Sequence, residues 1–271
     1  MRSEFITRFE ASLRRWRLGL KRKIPVVLPL LMPVLGAQPI WSQTAAKNPE
    51  ASHLEALLDQ AQEALHSKHW QEAVPLLKHI LVLDPRRWES DQALGNAYLN
   101  LGQYQDAIDT YEKGIAVYQA ELARSTSKAR LQDAMAQMLV AEGNAYLKLR
   151  KPQSALVLYR KAAEIDPNPG LAYFNLAATL YNQGQMEEAI LCCDKAIAAD
   201  PGRADTYFIK GSALYGNGTI DAKNRFIVPP GTVEVLKKYL ELAPEGGHAA
   251  DVKAMLDALG IQVEPMINNK K

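Results

Sequence analysis

The chain has 271 residues, of which 48% are hydrophobic and 23% are charged, as in packed globular proteins. Its net charge of +2 conceals a basic start: residues 1–37 hold eight basic and two acidic side chains, which leaves 24 basic and 28 acidic ones in the remainder. That mildly acidic remainder argues against nucleic acid as a partner. The two cysteines, Cys192 and Cys193, are adjacent and exclude a disulfide framework.

The first 37 residues have the order of a secretory signal peptide. Three basic residues at 21–23 precede an uncharged run at 24–35, and two small residues follow it. That run has roughly 12 residues and contains three prolines, whereas a membrane-spanning helix needs about 20 apolar residues. We therefore expect a cleavable signal and an exported chain, periplasmic or secreted. The alternatives are an uncleaved anchor at residues 24–41, which would be the chain's only contact with a membrane, and a wrongly chosen start site.

A polar linker at residues 38–50 leads into an internal repeat with a period of about 34 residues. Each unit has a small residue at one fixed position, and these are Ala61, Gly95, Gly143, Ala177 and Gly211. The first four units also have an alanine at a second fixed position, and these are Ala73, Ala107, Ala155 and Ala189. Three units end in Asp-Pro, at Asp84, Asp166 and Asp200. Because proline disfavours the helical conformation of the residue before it, each Asp-Pro predicts the end of a helix.

The unit resembles the tetratricopeptide repeat (TPR). The resemblance is carried by residues 94–98, Gly102, Gln103, Tyr104, Ala107 and Tyr111 in one unit, and by Leu176, Ala177, Gly184, Ala189, Asp200 and Pro201 in another. It covers about residues 51–260 and implies an all-α, right-handed superhelical solenoid of antiparallel helix pairs. About five repeats are expected, near 54–87, 88–121, 136–169, 170–203 and 204–246, with a capping helix at 248–260 and a flexible tail at 261–271. In organisation the chain is similar to exported bacterial TPR proteins.

Two insertions break the period. Fourteen additional residues separate the second and third units, and the helical pattern continues through residues 115–138. We therefore expect two facing helices, each lengthened by about two turns, with a turn at residues 125–127. A second insertion lies between Ile220 and Thr232. Its apolar character predicts a short hairpin or a docked loop.

In TPR arrays one face of each first helix lines a concave groove, so the resemblance implies a groove here. At about 100° per residue, the candidate partner-binding residues are Gln92, Asn96, Asn144, Phe174, Tyr181, Phe208 and Tyr215, and the same face holds Leu99, Asn100, Leu147 and Lys148. Amide side chains suit the backbone of an extended peptide, and aromatic rings are frequent interface anchors. The alternatives are that the rings pack on the cap, neighbouring helices or the loop, and that the two asparagines bond across neighbouring repeats.

Other chemistry is not evident in the sequence. Chaperone-binding TPR domains hold a terminal carboxylate with lysine and arginine, but the corresponding positions here are Gln92, Val140 and Phe174. His66 and His69 have the spacing of two metal ligands but no evident third one. No phosphate-binding glycine loop or nucleophile motif occurs. We therefore expect no enzyme, no metal and no cofactor.

The sequence thus predicts a non-enzymatic scaffold or adaptor that binds a peptide or protein segment in its groove, outside the cytoplasm. The identity of that partner and the oligomeric state are left open. The alternative function is a structural subunit of an envelope assembly, which would use its convex face or the lengthened helices. An enzyme or carrier built on the loop at 220–231 has only Asp221, Lys223 and Arg225 as ionisable groups and is not favoured.

Overall fold

Eleven helices and one β-hairpin form the part of the chain described by a computed structural model, residues 49–123 and 129–262. The helices are α1 (Pro49–His66), α2 (Trp70–Leu83), α3 (Trp88–Asn100), α4 (Tyr104–Leu122), α5 (Ala129–Lys148), α6 (Pro152–Ile165), α7 (Gly170–Asn182), α8 (Met186–Ala199), α9 (Ala204–Gly216), α10 (Thr232–Leu242) and α11 (Ala249–Ala258). The predicted export signal, the linker up to residue 48 and the tail from residue 263 lie outside the described residues.

Each helix packs chiefly against the next helix along the chain. This is the arrangement of a solenoid of antiparallel helix pairs, in which stacking of neighbours buries apolar faces that no pair could bury alone. After α9 and α10, the last helix α11 covers the open end with Val252 and Leu256, both fully buried. The all-α solenoid with a C-terminal capping helix is therefore confirmed.

The small residue of each repeat lies where two paired helices come closest. A Cβ atom placed on Gly95 would lie 2.5 Å from the ring of Tyr111, and one on Gly143 would lie 2.6 Å from the ring of Tyr159. Both tyrosines are fully buried on the second helix of the same repeat. A larger residue at either glycine would overlap a ring that has no room to move away, because helix interfaces are close-packed.

The insertion between the second and third repeats lengthens the two helices that it joins. Helix α4 has 19 residues and α5 has 20, whereas α2, α3, α6 and α7, the helices on either side of this pair, have 13 or 14. The lengthened helices are thus as predicted, and the predicted turn at 125–127 lies outside the described residues.

The insertion in the fifth repeat is a tight antiparallel hairpin of β1 (Thr219–Ile220) and β2 (Phe226–Ile227). Its turn is organised by Asp221, whose Oδ1 accepts hydrogen bonds from the backbone N–H groups of Lys223 and Arg225. The hairpin alternative of the sequence prediction is therefore correct.

Candidate partner-binding groove

An open cavity of about 650 Å³ lies between the first helices of the second and third repeats. It is lined by Leu99 and Asn100 from α3, by Asn144, Leu147 and Lys148 from α5, and by Arg150 from the turn after α5. The first five residues belong to the predicted groove face. Arg150 was missed because it lies beyond the helix, in a turn where its backbone φ is 60°, and helical periodicity does not extend to that position.

Asn144 is held in one orientation by the second helix of its own repeat. Its Oδ1 accepts a hydrogen bond from the hydroxyl of Tyr159 over 2.8 Å. Burial raises the pKa of Tyr159 above its ordinary value, so the hydroxyl stays protonated and donates. Because the oxygen of Asn144 faces this buried tyrosine, its N–H groups are the part of the amide that is left for the groove.

Asn96 is held in the same way one repeat earlier. Its Oδ1 accepts a hydrogen bond from the hydroxyl of Tyr111 over 2.6 Å. Each bond lies within a single repeat, so the alternative in which the two asparagines bond across neighbouring repeats is not what the structure shows. Asn96 and Gln92 are half-buried on α3, about one and two turns before Leu99, and neither lines the cavity.

Two cations, Lys148 and Arg150, line the cavity. Lys148 is the last residue of α5, and Arg150 follows two residues later. Neither side chain forms an ion pair or a hydrogen bond within residues 49–123 and 129–262. The lining residues include no carboxylate. Leu99 and Leu147 therefore lie beside hydrogen-bond donors and unpaired positive charge.

The aromatic half of the predicted groove makes internal contacts. Phe208 stacks on the imidazole of His248, with ring centroids 3.8 Å apart and planes inclined by 4°. Tyr215 meets Phe226 of the hairpin edge to face, with centroids 5.0 Å apart. The predicted alternatives of packing on the cap and on the loop therefore describe these two rings, although both remain partly exposed.

The two aromatic residues of the fourth repeat are also partly covered. The guanidinium of Arg203 lies 5.4 Å from the ring centroid of Phe174, and the same guanidinium forms an ion pair with Asp200 at 2.9 Å. Tyr181 packs against the core of the third and fourth repeats. A binding role for these rings stays a prediction.

A buried carboxyl group, Glu142, lies two residues before Asn144 and was not singled out from the sequence. It is 4% exposed and forms no hydrogen bond or ion pair with the described residues. Burial, together with the nearby carboxylate of Glu112, raises the pKa of Glu142 to about 7, and Lys161 acts in the opposite direction. The residue is therefore a titratable group inside the repeat that carries the cavity.

Neither a metal site nor a membrane-spanning helix is found in the ranges that the structure describes. Within them, no cluster of three or more His, Cys, Asp or Glu side chains is placed to hold a metal ion. In the same residues, no helix combines the length and the apolar character needed to span a bilayer.

Family models and curated relatives match parts of the chain. A tetratricopeptide repeat model matches residues 140–204, and a model described as a bacterial transcriptional activator domain matches residues 32–139. One of the relatives is small glutamine-rich tetratricopeptide repeat-containing protein 2 of Mycosarcoma maydis, 32% identical over 116 residues. That match covers 41% of this chain and 33% of the relative. The chain thus spans about a third of the length of this curated relative.

Solved structures match a larger share. YrrB, described as a TPR protein with an unusual peptide-binding site, is 21% identical with a TM-score of 0.54 and covers 77% of this chain and 100% of its own. MamA (41-end) from Desulfovibrio magneticus RS-1 is 20% identical with a TM-score of 0.55, over 74% and 99% of the two chains. PilW, described as a widely conserved type IV pilus biogenesis factor, is 17% identical with a TM-score of 0.52, over 77% and 86%. At these identities the likeness is one of fold.

Proposed function

We propose that this chain, a tetratricopeptide repeat protein, is a non-enzymatic scaffold that holds an extended protein segment in its concave groove, across the cavity between the second and third repeats. Stacked helical repeats form extended concave surfaces, which is how such folds engage other proteins. The observation that carries the proposal is the composition of the cavity. Apolar contact from Leu99 and Leu147 lies next to amide groups and next to two cations, Lys148 and Arg150, that have no partner within the described ranges, as in peptide-binding surfaces.

The solved neighbour YrrB supports the proposal at the level of the fold. It is described as having an unusual peptide-binding site, so a solenoid of this kind can hold a peptide. The residues of that site are not carried over to this chain, because the identity is 21%. The cavity at Asn144 is argued from its own contacts.

A photo-crosslinking experiment tests the groove. The photoreactive amino acid p-benzoylphenylalanine is placed at Asn100, which is exposed in the cavity, and in a second protein at Val157, which is 49% exposed on the second helix α6. After irradiation in the native cells, the groove position is expected to give a discrete crosslinked protein that the α6 position does not give. Circular dichroism of both proteins must remain helical. Crosslinks from the α6 position alone would overturn the proposal.

A second candidate function, a structural subunit that uses its convex face, is favoured by one observation. Val157 and Leu191 occupy equivalent positions of successive repeats, on the second helices α6 and α8, and they are 49% and 62% exposed. An ion pair of 2.6 Å between Arg160 and Glu188 joins the same two helices. The two apolar side chains therefore lie on neighbouring helices. Crosslinks from Val157 and Leu191, with none from Asn100, would favour this function.

We also propose that the scaffold works outside the cytoplasm. The support is the sequence order of residues 1–37, a basic flank followed by a short apolar run and small residues. β-Lactamase fused after residue 50 should protect bacteria from ampicillin, and N-terminal sequencing of the exported fusion should find a new start near residue 38. Ampicillin sensitivity despite a full-length fusion in the cytoplasm would overturn the exported location.

A further inference from the structure

We propose that the cavity between α3 and α5 is a subsite for an acidic side chain of the bound segment, with Lys148, Arg150 and the Asn144 amide as its ligands. This inference rests on the proposed groove function and adds the chemical class of the partner: an extended protein segment that carries aspartate or glutamate.

The first support is the kind of polar group that the cavity presents. The oxygen of Asn144 is already used by Tyr159, which leaves two N–H donors on that amide. Lysine and arginine side chains are donors only. Asn100 also offers an acceptor, because its amide nitrogen donates to the backbone oxygen of Asn96 at 2.7 Å and its own amide oxygen is not engaged in that bond. A ligand that offers acceptors, and above all a carboxylate, matches this set.

The second support is charge. Residues 38–271 hold more acidic than basic side chains, and several cations of the described body are neutralised by ion pairs, for example Lys113 by Asp91 and Arg160 by Glu188. Lys148 and Arg150 have no such partner in the described ranges and lie at one cavity. Cations in a concave site lined partly by apolar groups act more strongly on a ligand than the same cations on a flat surface.

The third support is shape. Leu99 and Leu147 come from neighbouring repeats and both line the cavity, so they can contact the methylene groups of a glutamate whose carboxylate reaches the cations. Asn96 and Asn144 are oriented alike in successive repeats. Of the two, Asn144 lines the cavity, and its amide N–H groups suit a carbonyl group of an extended backbone that lies there.

The occupant is a partner rather than a terminus of this chain. Residues 1–37 carry eight basic and two acidic side chains, and residues 263–271 carry Glu264 against Lys270 and Lys271. Residues 1–37 are net positive, and residues 263–271 have no excess of acidic side chains, so neither segment complements Lys148 and Arg150. Charge complementarity therefore selects an acidic segment from another protein.

The test selects random linear peptides from a display library on the full-length chain and on two variants. In the groove variant, Lys148→Glu and Arg150→Glu reverse both cations. In the matched control, Lys237→Glu and Lys253→Glu make the same change in net charge at exposed lysines of α10 and α11. We expect peptides from the unaltered chain and the control to carry Asp or Glu at a common position, and peptides from the groove variant to carry Lys or Arg there.

An enriched peptide is then synthesised with Gln in place of its selected acidic residue. The Gln peptide should bind the unaltered chain about tenfold more weakly, as for the loss of a charge-assisted hydrogen bond, and should bind the groove variant no more weakly than the acidic peptide does. Amidation of the peptide's C-terminus should leave the affinity unchanged. Dependence on the free C-terminus would assign the cavity to a terminal carboxylate and overturn the side-chain subsite.

Two outcomes separate this inference from the proposed function. Peptides that are enriched and lose affinity in an Asn144→Ala, Leu147→Ala protein, but show no preference for acidic residues, would overturn the acidic subsite and leave the groove function standing. If no peptide is enriched on the unaltered chain, the groove function fails and the subsite fails with it. Tighter binding after deletion of residues 263–271 would assign the cavity to the chain's own tail and overturn the choice of partner.

Discussion

The hydroxyl of Tyr159 donates a hydrogen bond to Oδ1 of Asn144 over 2.8 Å, from the second helix of a repeat to the groove face of the first. The same relationship, at the same separation of 15 residues, holds between Tyr111 and Asn96 over 2.6 Å. A buried tyrosine in each repeat thus turns the oxygen of an asparagine inward and leaves its N–H groups to the groove. Core packing and the chemistry of the cavity are coupled at Asn144, which lines the cavity, whereas Asn96 does not.

The hydrogen bond of Tyr159 stabilises the fold and orients the amide of Asn144, and Tyr159→Phe should affect both. The loss of one such bond should lower the free energy of unfolding by about 1 kcal/mol, and the freed amide of Asn144 should weaken binding of an acidic peptide. Tyr111→Phe is the matched control, since Asn96 does not line the cavity. It should cost similar stability and leave peptide affinity unchanged. Urea unfolding and fluorescence anisotropy measure the two quantities, and equal losses of affinity would contradict the orienting role of Tyr159.

Glu142 should make the stability of the protein depend on pH. Its pKa is about 7 in the folded chain against an ordinary value of 4.5. A raised carboxyl pKa means that the folded state binds the proton more tightly than the unfolded state, so stability falls as pH rises through this window. The loss amounts to about 3 kcal/mol for a shift of this size.

Glu142→Gln should abolish most of that dependence. The variant should be more stable than the unaltered chain at about pH 8 and close to it at about pH 5, because glutamine resembles the protonated carboxyl group. Thermal unfolding followed by circular dichroism at a series of pH values measures the effect. Glu112→Gln, which removes only the nearby exposed carboxylate, should reduce the dependence to a smaller extent. Parallel pH profiles for the unaltered chain and Glu142→Gln would contradict the assignment.

Lys113 on α4 supports a buried carboxylate on α3, Asp91. Asp91 is 0% exposed, and its Oδ1 is 3.1 Å from the ammonium of Lys113. Burial raises the pKa of Asp91 even though Lys113 acts to lower it. Lys113→Met therefore leaves a buried carboxylate without its partner, which should lower the free energy of unfolding by about 3 kcal/mol, less at acidic pH where Asp91 is protonated.

The double variant Asp91→Asn, Lys113→Met should recover most of that stability, because the neutral amide needs no counter-charge. A double-mutant cycle in urea measures the coupling between the two side chains. If the losses of unfolding free energy in the two single variants simply add in the double variant, Lys113 does not stabilise the carboxylate of Asp91.

The solenoid could be predicted because residues that act through their size or backbone conformation recur at a fixed period in the sequence. Gly95 and Gly143 recur where tyrosine rings press on the paired helix, and Asp84 and Asp200 lie just after the last residues of α2 and α8. The resemblance to TPR arrays implied a groove, and helical geometry assigned Asn144 and Lys148 to the face that lines it; both residues line the cavity. These features depend on local spacing, and local spacing is visible in a single sequence.

The remaining features depend on contacts between segments. Arg150 lines the cavity from a turn with positive φ, which no helical pattern predicts. The stacking of Phe208 on His248 requires the position of the cap relative to α9. The sequence spacing of the asparagines is compatible with hydrogen bonds across repeats, because it does not show that the hydroxyl of Tyr159 bonds Asn144 within the same repeat. Side-chain partners across a helix pair require the three-dimensional structure.

Gly95→Ala tests the contact that defines the helix pair. The new methyl group would lie 2.5 Å from the ring of Tyr111, which is fully buried and cannot move away, so overpacking should lower the free energy of unfolding by about 1 to 3 kcal/mol despite the better helix propensity of alanine. Gly216→Ala, at the end of α9, is the control, because a Cβ atom there meets nothing within 4 Å, and it should be neutral or slightly stabilising. Urea unfolding of both variants measures the difference. Equal stability of the two would mean that Tyr111 repacks at no cost and that the close approach at Gly95 does not constrain this helix pair.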